Sequence, residues 1–363
     1  MSCTIVGMGT ALPAYSIGQA ESAQYAALFT GTTDDEKNRL PVLYRMSGVQ
    51  SRHSVLLEGP EGAEVRQSFF PEPESPEDEG PGIGVRMERY ELEAPKLAIT
   101  ASREALERAE VTGREVTHLV TVSCSGFAAP GVDIALINTL ELPATTQRVH
   151  VGFMGCHGAL NGLRVVHGIT AANPGAVVLM CCVELCSIHY HYGYHPEQVV
   201  ANALFADGAG ALVARGGEPA REGAWQVRDT GSCLIPDSED AMTWRIRDYG
   251  FEMTLSARVP ELISSNLRGW VDGWLAQHDM TVGDIHSWAL HPGGPRILSA
   301  AGKSLGLDNG SLDVSRDILK NFGNMSSPTV LFILNKLREQ DAQTPCLALA
   351  FGPGLVAEGV LFA

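Results

Sequence analysis

The chain has 363 residues, of which 45% are hydrophobic and 19% are charged, and it carries a net charge of −16 with an isoelectric point near 5.1. This length can bury a large core and suggests two domains or one large double domain. The negative charge argues against binding to nucleic acid or to an anionic membrane surface. No apolar run reaches the roughly 18 residues that a membrane helix needs, so no membrane span is expected.

The beginning of the chain and its cysteines indicate a cytoplasmic protein. Residues 1–7 lack the charged region and cleavage site of a signal peptide and predict a first strand. The eight cysteines have no regular spacing and lie mostly inside apolar runs. We expect free thiols in a reducing cytoplasm, not a disulfide framework.

The first third of the chain mixes short strands, helices and one unusual segment. Residues 3–9 predict a strand, about 17–46 a helix, and the stretch after Val49 another short strand. Residues 58–80 are rich in proline and acidic residues and predict a solvated loop, with an acidic docking segment as the alternative. A further helix is expected over about 93–110, because alanines recur on one face at near-helical spacing.

The middle of the chain alternates strands and helices. A buried strand is predicted at 117–124, a helix at about 130–140, a second strand before residue 155, a helix at about 158–172 and a fully buried strand at 176–183. Continuous apolar strands alternating with helices predict a mostly parallel sheet with helices on both faces.

The second half repeats this plan. Helices are predicted at about 258–278 and 294–305, and strands at 285–290, 346–351 and 355–362. Between them, the segment before Pro328 predicts another helix start, with Ser327 as the N-cap and Pro328 as the first helical residue.

The spacing of four polar positions suggests an old duplication. Cys124 precedes Cys156 by 156 − 124 = 32 positions, and His291 precedes Asn324 by 324 − 291 = 33 positions. In each pair the first residue ends a strand and the second opens a helix. A duplication with an offset near 167 residues would bring Cys156, His291 and Asn324 to equivalent ends of one layered core.

Cys156 is the leading candidate nucleophile. Residues 151–160 predict a buried strand, a sharp glycine turn and a helix that starts near Ala159. The N-terminus of a helix favours negative charge, so a thiol there is expected to have a lowered pKa. The alternative is a buried structural cysteine.

A cysteine nucleophile also needs a base or cationic neighbour, and donors for the oxyanion of the attacked carbonyl. His291 could pair with the thiolate, and His291 together with Asn324 could donate to a thioester oxygen or an enolate. His157 is an alternative base, disfavoured because its side chain leaves the helix start in another direction.

Several motifs around these residues occur in the order and spacing of one known family. They resemble the chalcone synthase-like type III polyketide synthases of the thiolase superfamily, and the RMERY segment at 86–90 looks like the bacterial branch. The resemblance covers the chain apart from the acidic 58–80 loop. The motifs are GCHG at 155–158, ALFADGA at 203–209, HPGGP at 291–295, GNMSS at 323–327 and FGPGL at 351–355.

The resemblance implies an α/β thiolase-like fold, with two duplicated halves that form a five-layered α-β-α-β-α core in a homodimer. The halves would span 1–222 and 223–363. Cys156 would carry the starter and the growing chain, while His291 and Asn324 would promote decarboxylation of malonyl-CoA. CoA thioesters would be substrates, with no permanently bound cofactor, no metal and no carrier protein. Pyrones, resorcinols or related aromatics would be the products.

The resemblance also assigns candidate binding residues. Phe205 matches an aromatic gatekeeper between a CoA tunnel and the active-site cavity. Cys124, Met253, Ser326 and His189 match or lie near cavity positions. Smaller residues at Met253 and at Ala129, where plant enzymes have a methionine that reaches the partner's cavity, suggest space for a longer acyl chain. By analogy, Arg45, Arg52 and Arg296 are candidates for binding CoA phosphates, with a solvated surface as the alternative for each.

Three rival interpretations remain. A zinc site is suggested by cysteines and histidines between 181 and 195, but adjacent cysteines on a buried strand point to opposite faces. A β-ketoacyl carrier-protein synthase III shares the Cys-His-Asn set. A catalytically silent ketosynthase-like binding subunit is the alternative from another class. The candidate zinc ligands are Cys181, Cys182, Cys186, His189, His191 and His195.

Overall fold

A computed structural model of the chain describes residues 3–30, 33–63, 66–217 and 224–363. The first part contains β1 (Cys3–Ala11), β2 (Ser16–Gly18), α1 (Gln19–Phe29), α2 (Asp34–Met46), β3 (Ser51–His53), α3 (Ile83–Arg108), β4 (His118–Ser123), α4 (Val132–Thr139), β5 (Gln147–Gly152), α5 (Gly158–Ala172), β6 (Val177–Leu185), α6 (Pro196–Leu204) and β7 (Asp207–Gly216). The second part contains β8 (Gln226–Leu234), β9 (Met242–Arg247), β10 (Gly250–Leu255), α7 (Val259–Ala276), β11 (Ser287–Leu290), α8 (Pro295–Leu305), α9 (Asp313–Phe322), α10 (Pro328–Glu339), β12 (Cys346–Gly352) and β13 (Val356–Phe362).

The main sheet repeats one topology in each half of the chain. Its nine strands run in the order β11-β12-β13-β8-β1-β7-β6-β4-β5. The four strands β4-β6-β7-β1 of the first half correspond to β11-β12-β13-β8 of the second. In both sets the first pair is parallel and the next two pairs are antiparallel. Antiparallel pairs therefore predominate, and the mostly parallel sheet predicted from the sequence is wrong. This repeat agrees with the duplication inferred from the spacing of polar positions. The domain boundary predicted at 222/223 falls within residues 218–223, which lie outside the described part.

Two central helices separate the half-sheets. α5 and α10 bury apolar residues in one cluster with strands of both halves. α3 packs on the outer side of the first half-sheet, and α7 and α8 pack on the outer side of the second. Among the described residues, the half-sheets join through the short pairing of Cys3 with Val227 and Thr4 with Gln226, beside a hydrogen bond from the amide of Ile5 to the carbonyl of Trp225. The layers therefore run α-β-α-β-α, as predicted, and none of the described helices is long and apolar enough to cross a bilayer.

The single helix predicted over 17–46 is wrong. Two helices, α1 and α2, occupy this stretch, and the second begins with a capping box. The hydroxyl of Thr33 accepts a hydrogen bond from the amide of Glu36 at 3.3 Å, and the Glu36 carboxylate accepts one from the amide of Thr33 at 3.0 Å. Thr-x-x-Glu is a signature of a helix start, so the sequence carried the signal for the second helix.

α3 begins ten residues before its predicted start at 93. A proline near a helix start is common, and Pro95 made a late start plausible, yet the helix continues through it. The earlier turns bury Tyr90 and the fully buried Arg86. The Arg86 guanidinium donates to the carbonyl oxygens of Ile188 and Tyr190 at 2.6 and 3.0 Å. A charged residue therefore occupies a core-facing position, and this interrupts the helical spacing of apolar residues by which the start of α3 could have been predicted.

The acidic segment is a loop, as predicted, but its apolar residues are anchored. Residues 58–63 and 66–80 contain no helix or strand, and their acidic side chains are mostly exposed. Phe70 is buried and packs on the rings of Tyr190 and Tyr192. The carbonyl of Pro71 accepts a hydrogen bond from the Tyr192 hydroxyl at 2.5 Å. The segment therefore closes over part of the protein interior, and residues 64–65 lie outside the described part.

Candidate active site

Cys156 lies in a tight turn between β5 and α5. A 3-10 turn spans Gly155–His157, and α5 follows at once. Gly155 has a φ of +71°, and a Cβ there would lie 2.6 Å from the Cδ of Pro353. Glycine alone tolerates both the left-handed backbone and this close approach. The turn therefore places Cys156 immediately before the first turn of the helix, as the sequence predicted.

Asn324 presents its amide nitrogen to Cys156. Its main chain is fixed between Leu204, whose carbonyl accepts from the Asn324 amide, and Ala206, whose amide donates to the Asn324 carbonyl, both at 2.9 Å. The side-chain oxygen accepts a hydrogen bond from the amide of Ser326 at 2.8 Å. Because that contact fixes the oxygen, Nδ2 is turned toward the thiol and lies 4.0 Å from Sγ.

His291 completes the group of three. It follows β11, and its amide donates to the carbonyl of Leu349 in β12 at 2.8 Å. The ring is 1% exposed, and neither ring nitrogen has a hydrogen-bond partner in the described residues. Cys156, His291 and Asn324 thus meet, as predicted, at one small cavity of about 20 Å³. The other lining residues are Phe205, Met242, Met253, Leu255, Gly293, Ile297 and Phe351.

Burial sets the resting protonation of the two reactive side chains. It raises the pKa of the Cys156 thiol to about 11, and hydrogen bonds from Ser326 and Asn324 oppose this only in part. Burial also lowers the pKa of His291 to about 3. The thiol pKa is therefore raised, whereas the helix N-terminus led us to expect a lowered one, because burial disfavours the thiolate. The pair rests as neutral thiol and neutral imidazole.

Cys124 and Ser326 face each other beside the reactive group. The Cys124 sulfur lies 3.4 Å from the Ser326 hydroxyl, and both side chains are buried. Ser326 has a φ of +57°, which a hydrogen bond from its amide to Asn324 supports. The next residue, Ser327, is the N-cap residue of α10, as predicted, but its side chain makes no capping hydrogen bond. Its hydroxyl donates instead to Glu184 at 2.6 Å, while Pro328 does begin the helix.

Glu184 is the residue that sequence reasoning missed. It is fully buried in β6, and its carboxylate accepts from the amides of Cys124 and Ser125 at 2.9 and 3.0 Å. The hydroxyls of Ser125 and Ser327 also donate to it, each at 2.6 Å. Burial raises its pKa, and these donors oppose the rise. One acidic residue in an otherwise apolar strand was the available signal.

A second, larger cavity of about 140 Å³ adjoins the reactive group. It shares Phe205 and Met253 with the smaller cavity, so these two side chains stand between them. Its walls are overwhelmingly apolar. Gln67 and Phe70 of the acidic segment line it, as does Leu57 just before that segment. The predicted cavity residues Cys124, His189, Phe205, Met253 and Ser326 all line it, together with Tyr25, Phe29, Tyr190, Trp244 and Phe251.

His189 forms part of this wall, and both of its ring nitrogens are hydrogen-bonded. Nε2 donates to the carbonyl of Ser125 at 2.6 Å, and Nδ1 accepts from the amide of Phe251 at 3.0 Å. Its ring stacks on that of Phe251 with centroids 4.2 Å apart. Burial lowers its pKa to about 3, so it stays neutral. Trp244, which the sequence did not single out, packs against the same ring and donates to the carbonyl of Cys124 at 2.8 Å.

The three candidate CoA arginines differ in their surroundings. Arg52 is buried, and its guanidinium donates to the carbonyls of Asn202 and Phe205, the latter at 3.0 Å. These contacts hold the main chain at Phe205, which favours a structural role for Arg52 over CoA binding. Arg45 and Arg296 are exposed and form no ion pair within the described residues. Their segments adjoin, because a Cβ on Gly48 would lie 2.8 Å from Pro295.

The cysteines form no disulfide and no metal cluster in the described residues. All eight are free thiols, as predicted. Cys181 packs into the cluster of the outer helix α3 and Cys182 into the cluster of the central helices, so the two neighbours point to opposite faces. No group of three or more metal-ligating side chains is found in the described ranges. The zinc alternative therefore has no support from the geometry.

Comparisons with known proteins identify the family of this chain. Residues 2–219 match the family model for the N-terminal domain of chalcone and stilbene synthases, and residues 226–363 match that for the C-terminal domain. The chain is 32% identical to the alpha-pyrone synthesis polyketide synthase-like Pks18 of Mycobacterium tuberculosis, over 99% of this chain and 90% of that protein. It is 33% identical to the 1,3,6,8-tetrahydroxynaphthalene synthase of Streptomyces peucetius, over 99% and 92%.

Solved structures show the same likeness. The crystal structure of PKS-I from the brown alga Ectocarpus siliculosus matches with a TM-score of 0.93 and 31% identity, over 99% of this chain and 98% of that one. The C-terminal type III polyketide synthase domain of Steely1 from Dictyostelium matches with a TM-score of 0.88 and 25% identity, over 100% and 99%. The fold is the thiolase-like fold of these enzymes. The chain belongs to the chalcone and stilbene synthase family and is a type III polyketide synthase, an acyltransferase.

Proposed function

We propose that this polyketide synthase loads an acyl-CoA starter on Cys156, extends it with malonyl-CoA by decarboxylative Claisen condensation, and cyclises the product to a pyrone, resorcinol or related aromatic. The observation that carries the proposal is the small cavity that the buried side chains of Cys156, His291 and Asn324 share. It supplies a nucleophile, a base and a fixed donor within one water-poor space.

Each of the three side chains has a distinct task in this proposal. Cys156 attacks the starter thioester, and His291 takes the thiol proton, because the buried thiol does not ionise by itself at neutral pH. During extension, malonyl-CoA loses CO₂ and negative charge develops on its thioester oxygen. Nδ2 of Asn324, fixed by the Ser326 contact, donates to that oxygen together with a ring N–H of His291. The resulting enolate carbon then attacks the acyl group on Cys156.

The larger cavity supports an apolar starter. Its far end is formed by aromatic and aliphatic side chains of α1 and the acidic segment, including Tyr25, Phe29 and Phe70. An acyl chain that enters past Phe205 would bury its methylenes there, at a gain of about 0.8 kcal/mol for each buried CH₂. Ala129, which the sequence analysis linked to chain length, lines a different crevice beside β5.

The edge of the sheet supports a homodimer. β5 ends the nine-stranded sheet with an unpaired edge, and natural proteins cover such edges. Val149 on this strand is 42% exposed, and Phe127 and Met154 beside it are 41% and 37% exposed. Pairing β5 with a second copy would cover these side chains and the crevice that Ala129 lines. A cytoplasmic location fits the eight unpaired thiols.

Product analysis tests the proposed function. The protein is incubated with malonyl-CoA and acyl-CoA starters from acetyl through long-chain to aromatic, with Cys156→Ser as the control. We expect pyrones or resorcinols that require Cys156, and a preference for apolar starters. Products that form only with acyl carrier protein would support a carrier-dependent ketosynthase instead. No product and no CO₂ release from folded protein would support a silent subunit.

A further inference from the structure

The acidic segment of residues 58–80 supplies part of the wall of the larger cavity. Gln67 and Phe70 lie near the middle of this segment, and both line that cavity. Neither lines the smaller cavity at Cys156. The stretch that its composition presents as a solvated loop therefore has an inward face. That face belongs to the cavity in which we expect the acyl chain of the starter to bind.

Phe70 stands between this cavity and the exposed part of the acidic segment. Its side chain is 7% exposed, whereas Pro71 and Glu72, which follow it directly, are exposed to solvent. The Phe70 ring packs on the rings of Tyr190 and Tyr192, with centroid distances of 5.7 and 6.0 Å. The chain therefore turns outward immediately after Phe70, and the ring closes the cavity on the side of the protein surface.

Contacts within the segment and with α1 fix the position of Phe70. The side-chain oxygen of Gln67 accepts from the Phe70 amide at 2.9 Å, and the side-chain nitrogen of Gln67 donates to the Phe70 carbonyl at 3.0 Å. Just before them, the buried guanidinium of Arg66 pairs with Glu21 of α1 and donates to the carbonyl of Ser16, both at 2.8 Å. The Phe70 ring therefore forms a fixed boundary of the cavity.

The volume of the larger cavity indicates how long a chain fits beside this ring. An apolar cavity of about 150 Å³ holds one benzene molecule, so a cavity of about 140 Å³ has room for about six carbon atoms. Phe70→Ala removes a phenyl ring from the wall and would free the space of about one further benzene molecule. One side chain therefore controls a volume similar to that of the whole existing cavity.

We propose that Phe70 is a specificity-determining residue that limits the length of the acyl starter. This inference rests on the proposed function, in which the acyl chain enters the larger cavity past Phe205. A chain with about six carbon atoms beyond Phe205 fills the cavity, and a longer chain meets the Phe70 ring. Each methylene up to this limit is buried and raises the affinity about fourfold, whereas methylenes beyond it add no affinity.

The test measures affinity against chain length and needs no turnover. Saturated acyl-CoAs from butanoyl to hexadecanoyl are titrated into the Cys156→Ala protein in a calorimeter. We expect the affinity to rise about fourfold per methylene up to a limiting chain length and then to stay level. Adding Phe70→Ala should move this limit outward by about six carbon atoms. Adding Phe332→Ala, which truncates a similarly buried phenylalanine that lines neither cavity, is the matched control and should leave the limit unchanged.

An unchanged limit in the Phe70→Ala protein would overturn the inference, and so would an affinity that does not depend on chain length. If Phe70→Ala does not fold, Phe70→Leu decides: we expect a shift about half as large, and no shift refutes the inference. A limit that moves in a protein that makes no polyketide would support the role of Phe70 and refute the proposed function alone. Pyrones or resorcinols whose starter length ignores Phe70→Ala would refute the inference alone.

Discussion

Replacing Glu184 tests whether one buried carboxylate holds together the two loops of the active site. The Glu184→Leu change leaves the amides of Cys124 and Ser125 without an acceptor, since neither backbone group can turn away. A buried unsatisfied donor costs about 1–3 kcal/mol, so two cost about 2–6 kcal/mol. The hydroxyls of Ser125 and Ser327 can rotate to other partners and add less. The loss is a large share of a total stability of about 5–15 kcal/mol.

Glu184→Gln is the matched control, because it keeps one carbonyl oxygen for the two amides. The serine hydroxyls can reverse and accept from its NH₂ group, so we expect a loss of about 1–2 kcal/mol. Urea and thermal unfolding of the purified variants provide the measurement. The reasoning is refuted if Leu and Gln destabilise equally, or if the Leu variant unfolds at the wild-type midpoint. In either case the donors would have other acceptors, and Glu184 would not join the Cys124 and Ser326–Ser327 segments.

Four further predictions concern catalysis and assembly. Asn324→Leu removes the donor to the developing oxyanion, so CO₂ release from malonyl-CoA should fall by about 10²–10³-fold; an unchanged rate would exclude that role. In a Cys156→Ala background, the rate of CO₂ release from malonyl-CoA should not change between about pH 5 and pH 8, because burial lowers the pKa of His291 to about 3. An inflection of that rate near the usual histidine pKa would contradict this. Arg45→Glu and Arg296→Glu should each raise the KM for CoA thioesters about tenfold with little change in kcat, because one lost phosphate contact is worth about 1–2 kcal/mol. As the control, Arg103→Glu at an exposed position should leave the KM unchanged. Val149→Lys on the edge strand β5 should convert a dimer to a monomer in light scattering, and a persistent dimer would place the interface elsewhere.

Local patterns predicted most of the elements and the candidate nucleophile. The buried strands β4, β6, β12 and β13 and the helix α5 lie within a few residues of their predicted positions, because their apolar periodicity is set by the layers on both sides. The convergence of Cys156, His291 and Asn324 could also be anticipated, since equivalent positions of a duplicated fold lie at equivalent ends of the core. The error over 17–46 came from overlooking a capping box that was present in the sequence.

The features that the sequence did not predict depend on contacts between distant segments. Nothing near Glu184 indicates that the hydroxyl of Ser327, the N-cap residue of α10, will donate to it. Arg52 looks like a surface cation until α6 brings the carbonyls of Asn202 and Phe205 to its guanidinium. The raised pKa of Cys156 has the same origin, because burial is a property of the whole fold and the helix dipole is a local one.

The duplication explains why a buried site with a neutral resting pair can still stabilise negative charge. Cys156 precedes α5, and Asn324 lies four residues before the start of α10, so the N-termini of both central helices lie at the reactive cavity. Each contributes about half a positive elementary charge and unpaired N–H groups at its first turn. These fixed dipoles need no ionisable group and no water. In the proposed reaction these dipoles would stabilise the thiolate, the enolate and the tetrahedral oxyanion, each of which carries negative charge.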